Sequence, residues 1–282
     1  GGGGEQHVRP SIVEQIATAS DAAARLDLLK PVAWLHIEKT GSSFINVLAD
    51  LTELWDSCPW GVRMADTDGS VWSDGGFDVN NQIVSDCPNV WGSVMALTSD
   101  CPQLLMPTGI WHVGIDLRYD INKGHIVSMF RQPEQRVVSG YYDDYHSWDP
   151  SLPPPSLQEY AKFIRGCQTK MLGRSVTCDT PNPCMDGVPP TLQETRLALQ
   201  RLREAVAFLG ITDQWDLSIC FFHAKFGGEC LPTDFLNINP NFNDTLSTYD
   251  TAELEGFIDH EDRQVYTEAV HIFQEDLTRF GV

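Results

Sequence analysis

The stretch that most constrains the fold is residues 34–44, WLHIEKTGSSF. The apolar run over residues 32–37 predicts a short buried strand. A turn of small and hydroxyl residues follows, and the apolar periodicity of residues 44–54 predicts a helix. A strand that leads through such a turn to a helix N-terminus is typical of an anion site, because free amide N–H groups and the helix dipole both favour negative charge.

The turn carries side chains that suit a phosphate. Lys39 supplies a positive charge, and Gly41 lets the backbone approach an anion closely. Further hydrogen-bond donors are the hydroxyls of Thr40, Ser42 and Ser43. Because the lysine precedes the glycine and the loop is short, this stretch differs from the Walker A loop, G-x-x-x-x-G-K-[ST].

A second stretch has the same organisation. Residues 125–130 predict another buried strand, and Pro133 suits the first turn of the helix that follows. Arg131 lies at the end of the strand and Ser139 lies two turns into the helix, so both side chains can face one anion. Arg136 is interpreted as a solvated residue of the helix face and not as a ligand.

Together the two stretches resemble the nucleotide-binding elements of sulfotransferases that use 3′-phosphoadenosine 5′-phosphosulfate (PAPS). The order K-T-G-S-S resembles their 5′-phosphosulfate loop, and R-x-P-x-x-R-x-x-S-x-Y-Y over residues 131–142 resembles their 3′-phosphate element. The resemblance implies that residues 39–43 hold the 5′-phosphosulfate. It also implies that Arg131 and Ser139 hold the 3′-phosphate.

Later segments resemble the membrane-anchored carbohydrate branch of this family, which includes uronyl 2-O-sulfotransferases. Residues 167–174 resemble the segment that closes over the nucleotide, which implies that Lys170 or Arg174 contacts a phosphate. Residues 207–215 resemble a strand-to-helix element of that branch, and residues 262–280 resemble its final helix.

The resemblance covers about residues 30–54 and 109–280 and implies an α/β fold with a P-loop-like central parallel sheet flanked by helices. Alternation of strands and helices along the chain also predicts a parallel sheet with both faces covered. Residues 55–108 are interpreted as an irregular, acceptor-binding insertion after the first helix of this sheet. The glycines at 1–4 are interpreted as a linker or cloning scar, so residues 5–282 are predicted to form one sulfotransferase domain.

Periodicity predicts the remaining elements. One amphipathic helix is expected over residues 12–29 and a strand over residues 110–115. Further helices are expected over residues 134–146, 157–165, 192–207, 215–226 and 261–280, with a strand that ends at Gly210.

Sulfuryl transfer needs a cation beside the leaving phosphate and a base for the proton of the acceptor hydroxyl. Lys39 is the candidate for the first role. His112 is the first candidate base, because related uronyl 2-O-sulfotransferases carry a His-Gly-His run at a similar place. Glu38 is a second candidate that could act as a base or position the acceptor. The structural alternative for His112 is a hydrogen-bonded core histidine, and the alternative for Glu38 is an exposed turn residue. His146 is interpreted as a helix cap that could also approach the acceptor, and His36 as buried packing that could also face the site.

The net charge of −20 argues against a nucleic-acid partner. Residues 118–203 carry 11 of the 19 Lys and Arg residues but only 9 of the 39 Asp and Glu residues, so the least acidic region coincides with the proposed nucleotide site. The acidic remainder indicates a neutral or cationic acceptor, or a surface that maintains solubility. No apolar run approaches the ~20 residues of a membrane span, so no membrane contact is predicted.

Eight cysteines, an even number, suit disulfides in an oxidising compartment, which favours the Golgi lumen or secretory pathway. The alternative is a cytoplasmic protein with eight free thiols. The connectivity stays open, and the closest predicted pairs are Cys178–Cys184, Cys220–Cys230 and Cys87–Cys101. No cysteine or histidine cluster has zinc spacing, so no metal is predicted.

The sequence therefore predicts transfer of a sulfuryl group from PAPS to a hydroxyl, with 3′-phosphoadenosine 5′-phosphate (PAP) as the nucleotide product. The family branch implies a carbohydrate acceptor, and the acidic surface favours a small natural product. An ATP-dependent kinase is the alternative of another class, and it would need Walker A and B elements that the chain does not show. A catalytically inactive nucleotide-binding module is the third alternative.

Overall fold

The computed structural model describes residues 10–30, 32–44, 47–48, 51, 112–177, 180, 182–235 and 248–282. Three sequence predictions lie outside these residues: the linker at 1–4, the insertion at 55–108 and the pair Cys87–Cys101. Most of the helix predicted over residues 44–54 also lies outside them.

The described elements are numbered in chain order. The strands are β1 (Ala33–Leu35), β2 (Ile126–Phe130) and β3 (Val206–Ile211). The helices are α1 (Ile12–Thr18), α2 (Ala22–Leu29), α3 (Tyr119–Asn122), α4 (Pro133–Tyr141), α5 (Leu157–Phe163), α6 (Cys167–Gly173), α7 (Leu192–Ala205), α8 (Trp215–Phe226) and α9 (His260–Phe280). Short 3-10 turns cover Ser42–Phe44, Ile115–Arg118, Pro183–Asp186, Thr212–Gln214, Pro232–Phe235 and Thr251–Leu254.

The three strands form one parallel sheet in the order β1-β2-β3. Ala33 of β1 pairs with Ile126 of β2, and Val127 of β2 pairs with Phe208 of β3. Every residue of the three strands is buried, as expected for a parallel sheet covered on both faces. Helices α7, α8 and α9 all contact β3. The predicted α/β class, a parallel sheet flanked by helices, is confirmed.

Two predicted elements are wrong. The helix expected over residues 12–29 is two helices, because the Asp21 side chain accepts a hydrogen bond from the Ala24 amide at 2.8 Å and caps a new helix there. In the strand expected over residues 110–115, the described residues 112–114 have no regular structure and Ile115–Arg118 is a 3-10 turn.

Helix α4 ends five residues earlier than the sequence predicted. After Tyr141 the chain turns through Asp144, Tyr145 and Ser147, which have φ values of 54°, 54° and 66°. Such left-handed conformations are uncommon for residues other than glycine and end a helix. The turn directs His146 back toward the end of β1, where it meets the candidate site.

A disulfide joins Cys167 at the start of α6 to Cys184 in the 3-10 turn Pro183–Asp186. The predicted pair Cys178–Cys184 is therefore wrong, because the sulfur of Cys184 is already bonded. The sulfurs of Cys220 and Cys230 are 2.8 Å apart but unbonded. Cys220 and Cys230, which the sequence predicted as a pair, are therefore neighbours but form no disulfide.

No helix in the described part of the chain combines the length and the apolar character that crossing a bilayer requires.

Candidate functional site

The loop after β1 lies at the carboxyl end of the sheet, where ligands of parallel α/β folds bind. Lys39 and Gly41 both have positive φ, 60° and 117°, so the backbone makes a tight turn. A Cβ atom on Gly41 would lie 2.6 Å from the Trp215 ring, so only glycine fits against this indole. The Thr40 hydroxyl donates to the Ile37 carbonyl at 2.9 Å, which fixes the base of the loop.

The backbone of this loop keeps donors available. Among the described residues, no hydrogen bond uses the amides of Gly41 or Ser42. The carbonyl of Gly41 accepts from the Phe44 amide at 3.1 Å and begins the 3-10 turn Ser42–Phe44. Unpaired amides in succession at a chain turn form a concave site that favours an anion.

Arg131 joins the second predicted anion element to this loop. It follows β2 directly, and its Nη1 donates to the Lys39 carbonyl at 3.2 Å. Its guanidinium also lies over the Tyr249 ring, 5.4 Å from the centroid. Burial lowers the pKa of Arg131. The two predicted phosphate elements are therefore in contact at adjacent strand ends.

No carboxylate of the described residues lies within ion-pair distance of Arg131, and Asp213 attracts its guanidinium only from farther away. The Nε of Arg131 is buried without a hydrogen-bond partner in the described residues. A buried guanidinium without an adjacent counterion is costly, so this geometry favours an anionic ligand. Ser139 is buried on α4, in the helix that begins two residues after Arg131.

Arg136 is not the solvated residue that the sequence predicted. Its side chain is almost fully buried, and its Nη2 donates to the Ile164 carbonyl at 3.0 Å and lies 3.5 Å from Asp262 Oδ2. That Arg136 is not a ligand stays a prediction. The surface position predicted for it is wrong, because α5 and α9 cover α4 on that face.

Lys39 is held by a neighbour that the sequence analysis did not single out. Its Nζ lies 2.8 Å from Asp143 Oδ2, and the same carboxylate oxygen lies 3.3 Å from His146 Nδ1. Hydrogen bonds from His146 and Lys39 outweigh the effect of burial and lower the pKa of Asp143 to about 2. Asp143 is thus a carboxylate that joins the candidate leaving-group cation to a histidine.

His112 and His146 meet beside this ion pair. The two Nε2 atoms are 3.0 Å apart, and His112 Nδ1 lies 3.0 Å from the His36 carbonyl oxygen. The His36 ring lies between the rings of Trp34 and His112, with centroid distances of 4.5 and 4.4 Å. His36 is therefore buried packing that also borders this cluster, and His146 lies beside His112 and is not simply a helix cap.

Glu38 is fully buried, so the reading of it as an exposed turn residue is wrong. Its Oε1 accepts hydrogen bonds from the Ser147 hydroxyl and, at 2.6 Å, from Asn182 Nδ2. Its Oε2 is buried without a partner in the described residues. Burial raises the pKa of Glu38, but His112, His146 and the two hydrogen bonds outweigh it and lower the pKa overall. The carboxylate is therefore ionised at neutral pH.

Burial also lowers the pKa of His112, and repulsion from His146 adds to the effect, although the Glu38 carboxylate opposes it. The neutral imidazole is the form that can accept a proton. Glu38, Lys39 and His112, the three predicted catalytic residues, thus lie in one cluster with Asp143 and His146.

Lys170 and Arg174 belong to a different network. The buried Lys170 ammonium pairs with Asp186 at 3.1 Å, and Arg174 pairs with Asp186 and with Glu194. Arg174 also donates to the Val188 and Pro189 carbonyls. These partners satisfy both cations, so neither has the unpaired charge that Arg131 has.

We expect Glu194→Gln to reduce the loss of stability in acid. Burial alone raises the pKa of Glu194, but hydrogen bonds from Arg174 and Thr191 outweigh it and lower the pKa to about 2, from an ordinary 4.5. The ionised form therefore stabilises the fold above pH 4.5, and this contribution disappears as the pH falls toward 2.

Urea unfolding from about pH 5 to about pH 3 should show a smaller fall in the free energy of unfolding for this variant than for the wild type. Glu229→Gln, at an exposed position without an ion pair in the described residues, is the control. Equal pH slopes for all three proteins would contradict the prediction.

Comparisons of the chain with protein-family models, curated proteins and solved structures found no match.

Proposed function

We propose that this protein is a PAPS-dependent sulfotransferase with the P-loop-like sulfotransferase fold. The observation that carries the proposal is the 3.2 Å contact of Arg131 with the Lys39 carbonyl. It brings two anion elements together at the ends of β1 and β2, and the cation between them has no carboxylate partner in the described residues. A nucleotide with one phosphate at each end of its ribose fits this pairing of elements.

In the proposal, residues 39–43 bind the 5′-phosphosulfate through the loop amides and hydroxyls, and Arg131 and Ser139 bind the 3′-phosphate. The tight turn at Gly41 supports the first assignment, and the buried Nε of Arg131, which has no hydrogen-bond partner in the described residues, supports the second. Lys170 and Arg174 are not proposed to bind phosphate, because both already form ion pairs with carboxylates.

The proposed reaction is an in-line displacement at sulfur. The acceptor oxygen forms a new bond to sulfur while the bond between sulfur and the bridging phosphate oxygen breaks, and PAP leaves with the electron pair. Lys39 neutralises the charge that develops on the bridging oxygen. To do so, its ammonium exchanges part of its contact with Asp143 for the phosphate oxygens.

His112 is the proposed proton acceptor. Its Nδ1 is directed to the His36 carbonyl, so Nε2 is the nitrogen with a free lone pair. The acceptor hydroxyl takes the place that the His146 ring holds against this nitrogen. The fixed carboxylate of Glu38 stabilises the imidazolium that results, which is a positioning and electrostatic role.

The acceptor is proposed to be a hydroxyl of a carbohydrate or of a small molecule. The family branch supports the carbohydrate, and the net charge of −20 supports a neutral or cationic small molecule. The disulfide between Cys167 and Cys184 supports a place in the Golgi lumen or secretory pathway, because such bonds persist in oxidising compartments.

Arg131→Ala is expected to weaken binding of PAP by about 10–100-fold, because it removes a charge-assisted contact worth ~1.5–3 kcal/mol. Titration calorimetry should show that this variant binds AMP, which lacks the 3′-phosphate, as weakly as the wild type does. Arg263→Ala removes a half-exposed arginine that pairs with Glu134 and is the control. If Arg131→Ala weakens the binding of PAP and of AMP by the same factor relative to the wild type, the arginine does not recognise the 3′-phosphate and this part of the proposal is wrong.

A further inference from the structure

The side chains of Glu38, His112 and His146 lie close enough together to hold one metal ion. One carboxylate oxygen of Glu38 and one nitrogen of each histidine all lie within 4.8 Å of one another. These positions are far apart in the sequence, which explains why ligand spacing predicted no metal. From their geometry we infer that Glu38, His112 and His146 form a binding site for a divalent transition metal ion.

In each of the two histidines, the ring nitrogen Nδ1 lies near an oxygen that can accept a hydrogen bond. Nδ1 of His112 lies 3.0 Å from the His36 carbonyl oxygen, and Nδ1 of His146 lies 3.3 Å from Asp143 Oδ2. Both Nδ1 atoms therefore carry protons. Metal-bound histidines have this second contact as a rule, because it fixes the tautomer and the ring orientation.

The two Nε2 atoms then face each other with lone pairs only 3.0 Å apart. Such an approach is repulsive unless a cation lies between them, either an additional proton or a metal ion. Ligand atoms about 2.0–2.1 Å from one zinc ion are separated by roughly 3.3 Å in tetrahedral geometry. The observed separation of the two Nε2 atoms is close to that value.

Glu38 is the third proposed ligand, and its carboxylate gives evidence for a cation that does not depend on the two histidines. Its Oε1 is fixed by Ser147 and Asn182, which leaves Oε2 buried and without a partner in the described residues. A carboxylate oxygen that is buried and unpaired is costly unless a cation neutralises it. A metal ion bound by one oxygen of Glu38 and one nitrogen of each histidine would neutralise this carboxylate.

Two imidazole nitrogens and one carboxylate oxygen suit Zn²⁺ and also Fe²⁺, and three protein ligands leave at least one position for water or substrate. The ion would occupy Nε2 of His112, so the metal-bound protein could not use this nitrogen as a base. The inference therefore goes beyond the proposed function, since it adds a ligand that competes with proton transfer.

The test is a competition titration of the EDTA-treated protein with Zn²⁺ against a chromophoric zinc chelator, without nucleotide or acceptor. We expect one ion per chain in the wild type and at least about 100-fold weaker binding in His146→Ala. Asn182→Ala, which removes one of the two hydrogen-bond partners of Glu38 Oε1, should weaken binding about 10–100-fold. His146 is partly exposed, and circular dichroism checks that both variants are folded.

Two control variants exclude other zinc ligands. His271→Ala removes an exposed histidine of α9, and Cys220→Ser removes one of the two neighbouring free thiols. Both should bind Zn²⁺ as the wild type does. Equal affinity in the wild type, His146→Ala and Asn182→Ala, or loss of binding in Cys220→Ser, would overturn the inference. Because no donor or acceptor is present, neither result depends on whether the protein transfers sulfuryl groups.

Discussion

Lys39→Ala is expected to lower the turnover of sulfuryl transfer by about 10²–10³-fold. The ammonium is the charge proposed to stabilise the leaving phosphate, and it also neutralises Asp143 at 2.8 Å. Its removal leaves the Asp143 carboxylate beside the 5′-phosphosulfate, so donor binding should weaken through repulsion as well. The measurement is the release of PAP from saturating PAPS, with neutral oligosaccharides and cationic small molecules as the acceptor panel.

The double variant Lys39→Ala, Asp143→Ala separates these two effects. It should recover part of the donor affinity, because the repulsive carboxylate is gone, but not the turnover. Lys162→Ala, at an exposed position of α5, is the control and should resemble the wild type. Normal turnover in Lys39→Ala would show that this lysine is not the partner of the leaving group.

His112→Asn is expected to lower turnover by about 10²–10⁴-fold, the usual contribution of a general base. Asparagine can still donate to the His36 carbonyl, so the local fold should persist, but it cannot accept the proton of the acceptor hydroxyl. Affinity for PAP should stay unchanged, because His112 has no part in binding the nucleotide. Turnover is measured with the same acceptor panel and affinity by calorimetry.

The matched control is His271→Asn on the exposed side of α9. A loss of less than about tenfold in His112→Asn would exclude the base role, because a lost general base costs more. In that case Glu38, the other predicted base, becomes the residue to replace, since its Oε2 is the unpaired oxygen of the cluster.

Local sequence patterns predicted the elements that carry the site. Continuous apolar runs marked β1 and β2 because strands of a parallel sheet are buried on both faces. Helix α8 begins and ends where its periodicity predicted, at Trp215–Phe226. The helix over residues 12–29 was wrong because its periodicity continues through Asp21, where a side-chain cap starts a second helix.

The cluster itself could not be predicted, because long-range contacts form it. Glu38 is bonded to Ser147 and Asn182 across 109 and 144 residues, and His112 contacts His36 across 76. The polar residues directly after α4, which include Asp143 and His146, were the available signal.

The conformation of that segment was not predictable from its composition. Three residues other than glycine adopt positive φ there, and no sequence rule assigns such angles to them in advance. The ion-pair partners of Lys170 and Arg174 were not predictable from local sequence either. Their sequence context resembles a phosphate contact, but the turn that the Cys167–Cys184 disulfide fixes places Asp186 beside both of them.

The most direct test of the central claim is calorimetric titration of the wild-type protein with PAP, with ADP and ATP as controls. The proposed site recognises one phosphate at each side of the ribose, so PAP should bind one to one and more tightly than either control. Absence of PAP binding, or a preference for ATP, would contradict the sulfotransferase assignment and favour a kinase or an inactive nucleotide-binding module.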